Sequence, residues 1–97
     1  KHKIHVISYN DGGYYNWHRD TEHFTFNLVL NDGDELEGGD MLFMDDNGIV
    51  EIPNQNNLMV VMPTYISHSI TPLKSKSGKD VAFTQQRFSI QYWVKCD

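Results

Sequence analysis

The segment Phe24-Thr25-Phe26-Asn27-Leu28-Val29-Leu30 sets the character of this sequence. Apolar residues alternate with polar ones, and the aromatic and β-branched side chains favour extended backbone. Because successive side chains of a strand point to opposite faces, this period of two predicts a β-strand. The same alternation occurs at residues 4–9 and predicts a second strand there.

Further runs of this kind lie between clusters of turn-forming residues. We expect strands at residues 41–44, Gly48–Ile52, 58–62, 67–73 and 83–94. The turn Asp46-Asn47-Gly48 is typical of a tight hairpin, whereas the polar segment at residues 74–80 is expected to be a mobile loop. No long stretch has helical spacing. The sequence therefore predicts an all-β fold of about eight short strands with little helix, either a sandwich or an open-ended barrel.

The composition indicates one small folded domain. Of the 97 residues, 39% are apolar and 22% are charged, a balance too apolar for a disordered acidic tail and too polar for a membrane protein. The formal net charge of −5 leaves no broad positive surface, so we expect neither nucleic acid nor membrane as a partner. We expect the chain to be a monomer.

The cysteine content bears on the compartment. Cys96 is the single cysteine, so no intrachain disulfide can form, and we expect a reducing, cytoplasmic location. The chain begins at Lys1 rather than at methionine, and we expect a processed chain or the ordered part of a longer one.

The segment Trp17-His18-Arg19-Asp20 carries the first chemical signal. On a strand or its frayed end, His18 and Asp20 lie two positions apart and therefore share a face. A third ligand has to come from elsewhere, and His68 stands at the start of a later predicted strand. Two histidines and one carboxylate with open positions opposite are the ligand set of non-haem Fe(II) oxygenases.

Four ordered segments carry a family resemblance. Residues 9–20, with a tyrosine, a glycine turn and the His18-x-Asp20 pair, resemble the 2-oxoglutarate/Fe(II) dioxygenases, in particular their prolyl-hydroxylase branch. The strand, acidic loop and double glycine at residues 28–43 are similar to the same branch. So are the distal histidine segment at residues 68–72 and the closing strand at residues 87–93.

The resemblance implies a fold and an activity. It implies that residues 1–97 form a single 2-oxoglutarate/Fe(II) oxygenase core domain, a double-stranded β-helix of the jelly-roll or cupin-like type. His18, Asp20 and His68 would hold Fe(II), with 2-oxoglutarate and O2 as co-substrates and ascorbate as an optional reductant. The expected reaction hydroxylates a C–H bond, in the first place of a prolyl residue in a peptide or protein, and releases succinate and CO2.

Other functions are also open. The substrate could instead be a free amino acid or a small molecule. The chain could also be a non-catalytic β-barrel module that binds a metal ion, or an ordinary β-sandwich interaction domain. Family members usually carry helices before the core, and without them we expect apolar residues on the outer face of one sheet to be uncovered.

The co-substrate requires a cation, because a buried carboxylate is tolerated only when it is paired. Arg87 is the first candidate, and Ser89 on the same strand face would add a second donor. The spacing from His68 is longer than is usual in the family, so Lys79 is an alternative. Tyr9 is expected to line the co-substrate pocket, although it could equally be a core aromatic, and Asn27 is another possible donor.

Three residues are expected to border the substrate: Tyr15, Trp93 and Arg19. Tyr15 precedes the first metal histidine, and Trp93 shares a strand face with Arg87. Arg19 is expected to point away from its two neighbours and to contact either substrate or solvent. The loops at residues 31–37 and 74–86 would flank the mouth and select the substrate.

Overall fold

The structure, a computed structural model, describes residues 2–20, 23–63 and 65–94; Cys96 lies outside these ranges. The described part forms ten strands: β1 (His2–Tyr9), β2 (Tyr15–His18), β3 (Phe24–Leu30), β4 (Leu36–Gly38), β5 (Met41–Asp45), β6 (Gly48–Ile52), β7 (Leu58–Pro63), β8 (Ser67–Ile70), β9 (Leu73–Ser75) and β10 (Arg87–Val94). A single 3₁₀ turn at Phe83–Gln85 is the only helical element of the described residues, so the all-β prediction is confirmed.

The strands form two four-stranded antiparallel sheets. The larger sheet has the order β1-β10-β3-β7, and the smaller sheet has the order β2-β8-β5-β6. The short strands β4 and β9 pair separately. From β2 onward the chain passes repeatedly between the two large sheets, so that they face each other across a common interior. This winding is that of a double-stranded β-helix.

The core follows from the alternation in the sequence. In β3, Thr25, Asn27 and Val29 are buried, whereas the residues between them lie on the outer face. Val29 packs in a cluster with side chains from both sheets, among them Phe43 and Met62. A second, smaller cluster at one end contains Tyr9, Leu36 and Leu73. The interior is thus apolar in its centre and polar along part of β3 and β10.

The outer face of the larger sheet is apolar and uncovered. Ile4 and Val6 on β1 and Met59 and Val61 on β7 are each more than half exposed. This agrees with the expectation that apolar residues on the outer face of one sheet are uncovered.

Most predicted strands are confirmed, and several are corrected. The strands at Phe24–Leu30 and Gly48–Ile52 have the expected bounds, and the hairpin loop between β5 and β6 has a positive φ at Gly48. The strand predicted at residues 67–73 is in fact two strands, because the chain leaves β8 after Ile70 and Leu73 begins β9. β2 and β4 were not predicted, since strands of three or four residues show too little alternation.

Two predicted loops are partly ordered in strands. Lys74 and Ser75 belong to β9 and pair with β4, and the Ser75 side chain is buried. The acidic loop predicted at residues 31–37 is shorter, because Leu36 and Glu37 belong to β4. The strand predicted at residues 83–94 begins only at Arg87, after the 3₁₀ turn.

The double glycine before β5 has a steric reason. Gly38 and Gly39 both have positive φ angles, 80° and 72°, which side chains of other residues rarely adopt. A Cβ at Gly39 would lie 2.8 Å from Leu73 Cδ2 and 3.0 Å from Arg87 Cδ. Glycine therefore leaves room for the stem of the buried arginine.

We predict that Gly39→Ala is more destabilising than Gly78→Ala. Gly78 has nearly the same φ, 73°, but nothing within 4 Å of an added Cβ. Gly78→Ala should therefore cost only the left-handed strain, about 1–2 kcal/mol. Gly39→Ala should cost about 1–3 kcal/mol more, from overpacking against Leu73 and Arg87. Urea unfolding measures both, and equal losses would contradict the steric account.

Candidate active site

Three side chains converge where β2 and β8 meet. His18 ends β2 and is paired in register with His68 on β8, and Asp20 follows β2 after one residue. The three potential ligand atoms all lie within 4.8 Å of one another. Nε2 of His18 is 3.5 Å from Asp20 Oδ1, and Nε2 of His68 is 3.6 Å from Asp20 Oδ2. The structure thus brings together residues that are 50 positions apart in the sequence.

Both histidines are held through the other ring nitrogen. His18 Nδ1 lies 2.7 Å from the carbonyl oxygen of Asn16, and His68 Nδ1 lies 2.8 Å from that of Ile66. A carbonyl oxygen only accepts, so each Nδ1 carries a hydrogen, and in a neutral imidazole of this tautomer the Nε2 atom has the free lone pair. Burial lowers the pKa of His68, which favours the neutral imidazole that metal binding requires.

The carboxylate of Asp20 joins this group to the larger sheet. Thr25 Oγ1 donates a 2.6 Å hydrogen bond to Asp20 Oδ2, and Trp93 Nε1 donates one of 3.2 Å to the same oxygen. Thr25 and Trp93 are register partners on β3 and β10. Asp20 therefore contacts residues of both sheets.

The donor set fits a divalent metal ion. The Nε2 atom of His18 lies 3.5 Å from Oδ1 of Asp20, and the Nε2 atom of His68 lies 3.6 Å from Oδ2. Such acceptors repel unless a cation lies between them. Two imidazoles and one carboxylate are the facial set of non-haem Fe(II) sites, so the residues present suit Fe(II) in identity and geometry.

A buried cation lies at the other end of the interior. Arg87, the first residue of β10, is 0% exposed, and its guanidinium carbon lies 5.2 Å from the centre of the Tyr9 ring. Its Nε donates a 3.3 Å hydrogen bond to Asn54 Oδ1. Both terminal nitrogens of Arg87 are buried and have no hydrogen-bond partner among the described residues. The Tyr9 hydroxyl is likewise buried and has no such partner.

These unpartnered donors suit a carboxylate. Burial lowers the pKa of Arg87 and raises the pKa of Tyr9, because both charged forms lose their hydration. Two unpaired N–H groups in a planar fork and a hydroxyl are the donors that bind a carboxylate with two parallel hydrogen bonds. The unsatisfied donors are therefore complementary to the distal carboxylate of 2-oxoglutarate.

Ser89 and Asn27 bind each other between these two ends. The Ser89 hydroxyl donates a 2.5 Å hydrogen bond to Asn27 Oδ1 and accepts one of 3.3 Å from Gln91 Nε2. Both residues are buried. A co-substrate would have to compete with Asn27 for the Ser89 hydroxyl.

The three predicted substrate residues lie in different surroundings. The Tyr15 ring is 4.1 Å from the His18 ring and is partly exposed. Trp93 is buried against Asp20. Arg19 is exposed and lines a cleft of about 340 Å³ with Asp45, Asp46 and Tyr65. Lys79, the alternative anion ligand, is exposed in a turn.

Two residues of the site were not predicted. Asn54 orients Arg87 from the loop after β6, and no sequence pattern connects the two. Thr25 donates a hydrogen bond to Asp20. The sequence pattern could have indicated it, because Thr25 is a polar residue on the same buried face of β3 as Asn27.

Comparison with known proteins decides the family. The family model of the 2OG-Fe(II) oxygenase superfamily matches residues 4–95. The chain belongs to the 2OG-Fe(II) oxygenase superfamily. This membership confirms the resemblance seen in the sequence, and Fe(II), 2-oxoglutarate and O2 are the cofactor and co-substrates that it implies. No curated protein matches the chain.

Solved structures show the fold of this chain. A prolyl-4-hydroxylase from Pseudomonas putida superposes with a TM-score of 0.76 at 20% identity, and a cupin superfamily protein from Desulfitobacterium hafniense with 0.56 at 14%. A non-heme monooxygenase in complex with nickel also matches, with 0.56 at 14%. They cover 99%, 98% and 96% of this chain. The double-stranded β-helix prediction is confirmed.

The matched proteins are longer than this chain. It covers 52% of the prolyl-4-hydroxylase, 68% of the cupin protein and 42% of the monooxygenase. Within the described residues, no helix has the length and apolar character needed to span a membrane.

We predict opposite effects of Arg87→Met on stability and on ligand binding. Removal of a buried charge whose terminal nitrogens have no hydrogen-bond partner among the described residues should raise the unfolding free energy of the metal-free protein, by about 1 kcal/mol or more. Affinity for 2-oxoglutarate in the Mn(II)-loaded protein should fall about 100-fold or more, because hydrogen bonds to charged groups contribute about 1.5–3 kcal/mol each.

Urea unfolding and calorimetric titration measure these two effects. Lys79→Met is the matched control, since it removes an exposed cation and should change neither quantity. Full 2-oxoglutarate affinity in Arg87→Met, with loss in Lys79→Met, would assign the anion site to Lys79.

Proposed function

We propose that this chain is the core of an Fe(II)- and 2-oxoglutarate-dependent dioxygenase that hydroxylates a prolyl residue in a peptide or protein. The observation that carries the proposal is the convergence of His18, Asp20 and His68 to within 4.8 Å. The two terminal nitrogens of Arg87, which are buried without a partner among the described residues, support 2-oxoglutarate as the co-substrate.

The metal-binding residues have a holding role. Bound Fe(II) supplies the redox chemistry, in which 2-oxoglutarate and O2 yield succinate and CO2 and one oxygen atom enters the substrate C–H bond. His18 and His68 would bind the ion through their Nε2 atoms, and Asp20 would bind it through its carboxyl group. Three protein ligands of this kind would leave other coordination positions of the ion to the co-substrate and O2.

The inner face of β10 provides the co-substrate pocket. Arg87, Ser89, Gln91 and Trp93 share this face, and Trp93 reaches the metal end through Asp20. Arg87 and Tyr9 would bind the distal carboxylate and so orient the 2-oxo acid end toward the ligand triad. Burial of this strip keeps water away from the reacting groups.

Two observations support a prolyl substrate. The solved structure of greatest similarity among those described above is a prolyl-4-hydroxylase. Tyr15, beside His18, offers an aromatic surface against which a pyrrolidine ring can pack. The cleft that contains Arg19, Asp45 and Tyr65 lies beside the metal-binding residues, because two of its lining residues, Arg19 and Ser67, are next to them in sequence. The cleft would contact the peptide on either side of the proline.

The activity is tested with proline-containing peptides, Fe(II), 2-oxoglutarate and ascorbate. We predict that mass spectrometry finds peptides heavier by one oxygen atom at proline, with an equivalent amount of succinate. His68→Ala should reduce turnover to background, whereas His23→Ala, at a histidine outside the triad, should leave it unchanged.

Three other outcomes would change the proposal. Succinate that rises with a free amino acid or a small molecule, but with no peptide, would exclude the prolyl substrate. Peptides in which alanine replaces the proline should remain unmodified, and their modification would contradict prolyl specificity. Metal binding without any succinate would indicate a non-catalytic module.

A further inference from the structure

The two oxygens of Asp20 have unequal surroundings. Oδ2 accepts hydrogen bonds from Thr25 and from Trp93. Each oxygen faces one histidine, since Oδ1 lies 3.5 Å from Nε2 of His18 and Oδ2 lies 3.6 Å from Nε2 of His68. The difference is in the hydrogen bonds, because the donors found among the described residues bind Oδ2 and leave Oδ1 without one. A carboxylate oxygen has two lone-pair positions, so two donors occupy Oδ2 fully while Oδ1 is left for another ligand.

The two donors are rigidly placed. Thr25 is 1% exposed and is the second residue of β3, where it pairs with Trp93 of β10 on one side and with Met62 of β7 on the other. Trp93 is also buried, and the His5 ring packs edge-on against its indole with the ring centres 4.4 Å apart. Both donors belong to the larger sheet, whereas both histidine ligands belong to the smaller one. Their hydrogen bonds thus fix the rotation of the carboxylate relative to the histidines.

We propose that Thr25 and Trp93 are positioning residues that reserve Oδ2 of Asp20 for the protein and so make the carboxylate bind the metal ion through Oδ1 alone. This inference rests on the proposed function, since it requires a metal ion in the triad. It assigns a role to Thr25 and changes the role expected of Trp93 from substrate contact to orientation of a ligand.

Single-oxygen binding has a chemical consequence. A carboxylate that binds through both oxygens takes up an additional coordination position. In a site with three protein ligands, that position would be lost to the 2-oxo acid end of the co-substrate or to O2. The two hydrogen bonds to Oδ2 therefore preserve the open face on which the reaction depends, in the way that outer partners of metal ligands commonly control a site.

The proposal is tested by Mn(II) binding to Thr25→Val, in which the hydroxyl is lost and the shape is kept. We expect the dissociation constant, measured from the electron paramagnetic resonance of free Mn(II), to rise about 10- to 100-fold. Water proton relaxation should also show fewer water molecules on the bound ion, because Oδ2 is released to coordinate. Thr25→Ser, which keeps the donor, should restore both values.

The control is Thr71→Val. Thr71 Oγ1 accepts a 2.9 Å hydrogen bond from the Asp40 amide, so this variant loses a threonine hydrogen bond away from the triad and should keep Mn(II) affinity and water count. If Thr25→Val does not fold, as judged by circular dichroism, Trp93→Phe is measured in the same way.

The outcomes separate this inference from the proposed function. A folded Thr25→Val, or Trp93→Phe in its place, with the affinity and bound-water count of the wild type would overturn the positioning role alone. Failure of the wild-type protein to bind Mn(II) would overturn the proposed function and this inference with it.

Discussion

The carboxylate of Asp20 is the point on which the arrangement of the site depends. The histidines of the triad lie on the smaller sheet, and the inner strip of β10 lies on the larger one. Asp20 faces both histidines and accepts hydrogen bonds from Thr25 and Trp93. Apolar contact between two sheets is not directional. It fixes the distance between the sheets, but it constrains the orientation of individual side chains less. The hydrogen bonds of Asp20 add that directional constraint where ligands of a metal ion must meet.

The same interior contains a charge that folding alone does not explain. The guanidinium of Arg87 is buried, and its terminal nitrogens find no partner among the described residues. Such a group opposes folding, because the charged guanidinium loses its hydration when it is buried. The same loss of hydration lowers the pKa of Arg87. The fold nevertheless makes room for it, since Gly39 and Asn54 accommodate its stem and its Nε. Unfavourable groups of this kind are common where a ligand supplies the missing partner.

The alternation of apolar and polar residues and the order of the motifs predicted most of the strands and the residues of the triad. The features that were missed depend on contacts between residues that are distant in the sequence. The strands of the larger sheet are long enough to show a period of two, whereas β2, β4 and β9 have only three or four residues. Arg87 was favoured over Lys79 because it lies on the same face of a predicted strand as Ser89, although the spacing from His68 favoured Lys79. In the structure Arg87 is buried and Lys79 is exposed. Asn54 lies in a loop, and its contact with Arg87 depends on how that loop folds back. The sequence pattern placed the polar residue Thr25 on a buried face, but it did not indicate that Thr25 binds Asp20.

The central claim is that one metal ion and one dicarboxylate bind inside a single barrel, at sites that the chain has already formed. A crystal structure with Mn(II) and 2-oxoglutarate, with the metal located by its anomalous scattering, tests it most directly. The account predicts Mn(II) on Nε2 of His18 and His68 and on Oδ1 of Asp20, with the distal carboxylate on Arg87. An ion bound elsewhere, or a co-substrate that leaves Arg87 unpaired, would contradict it.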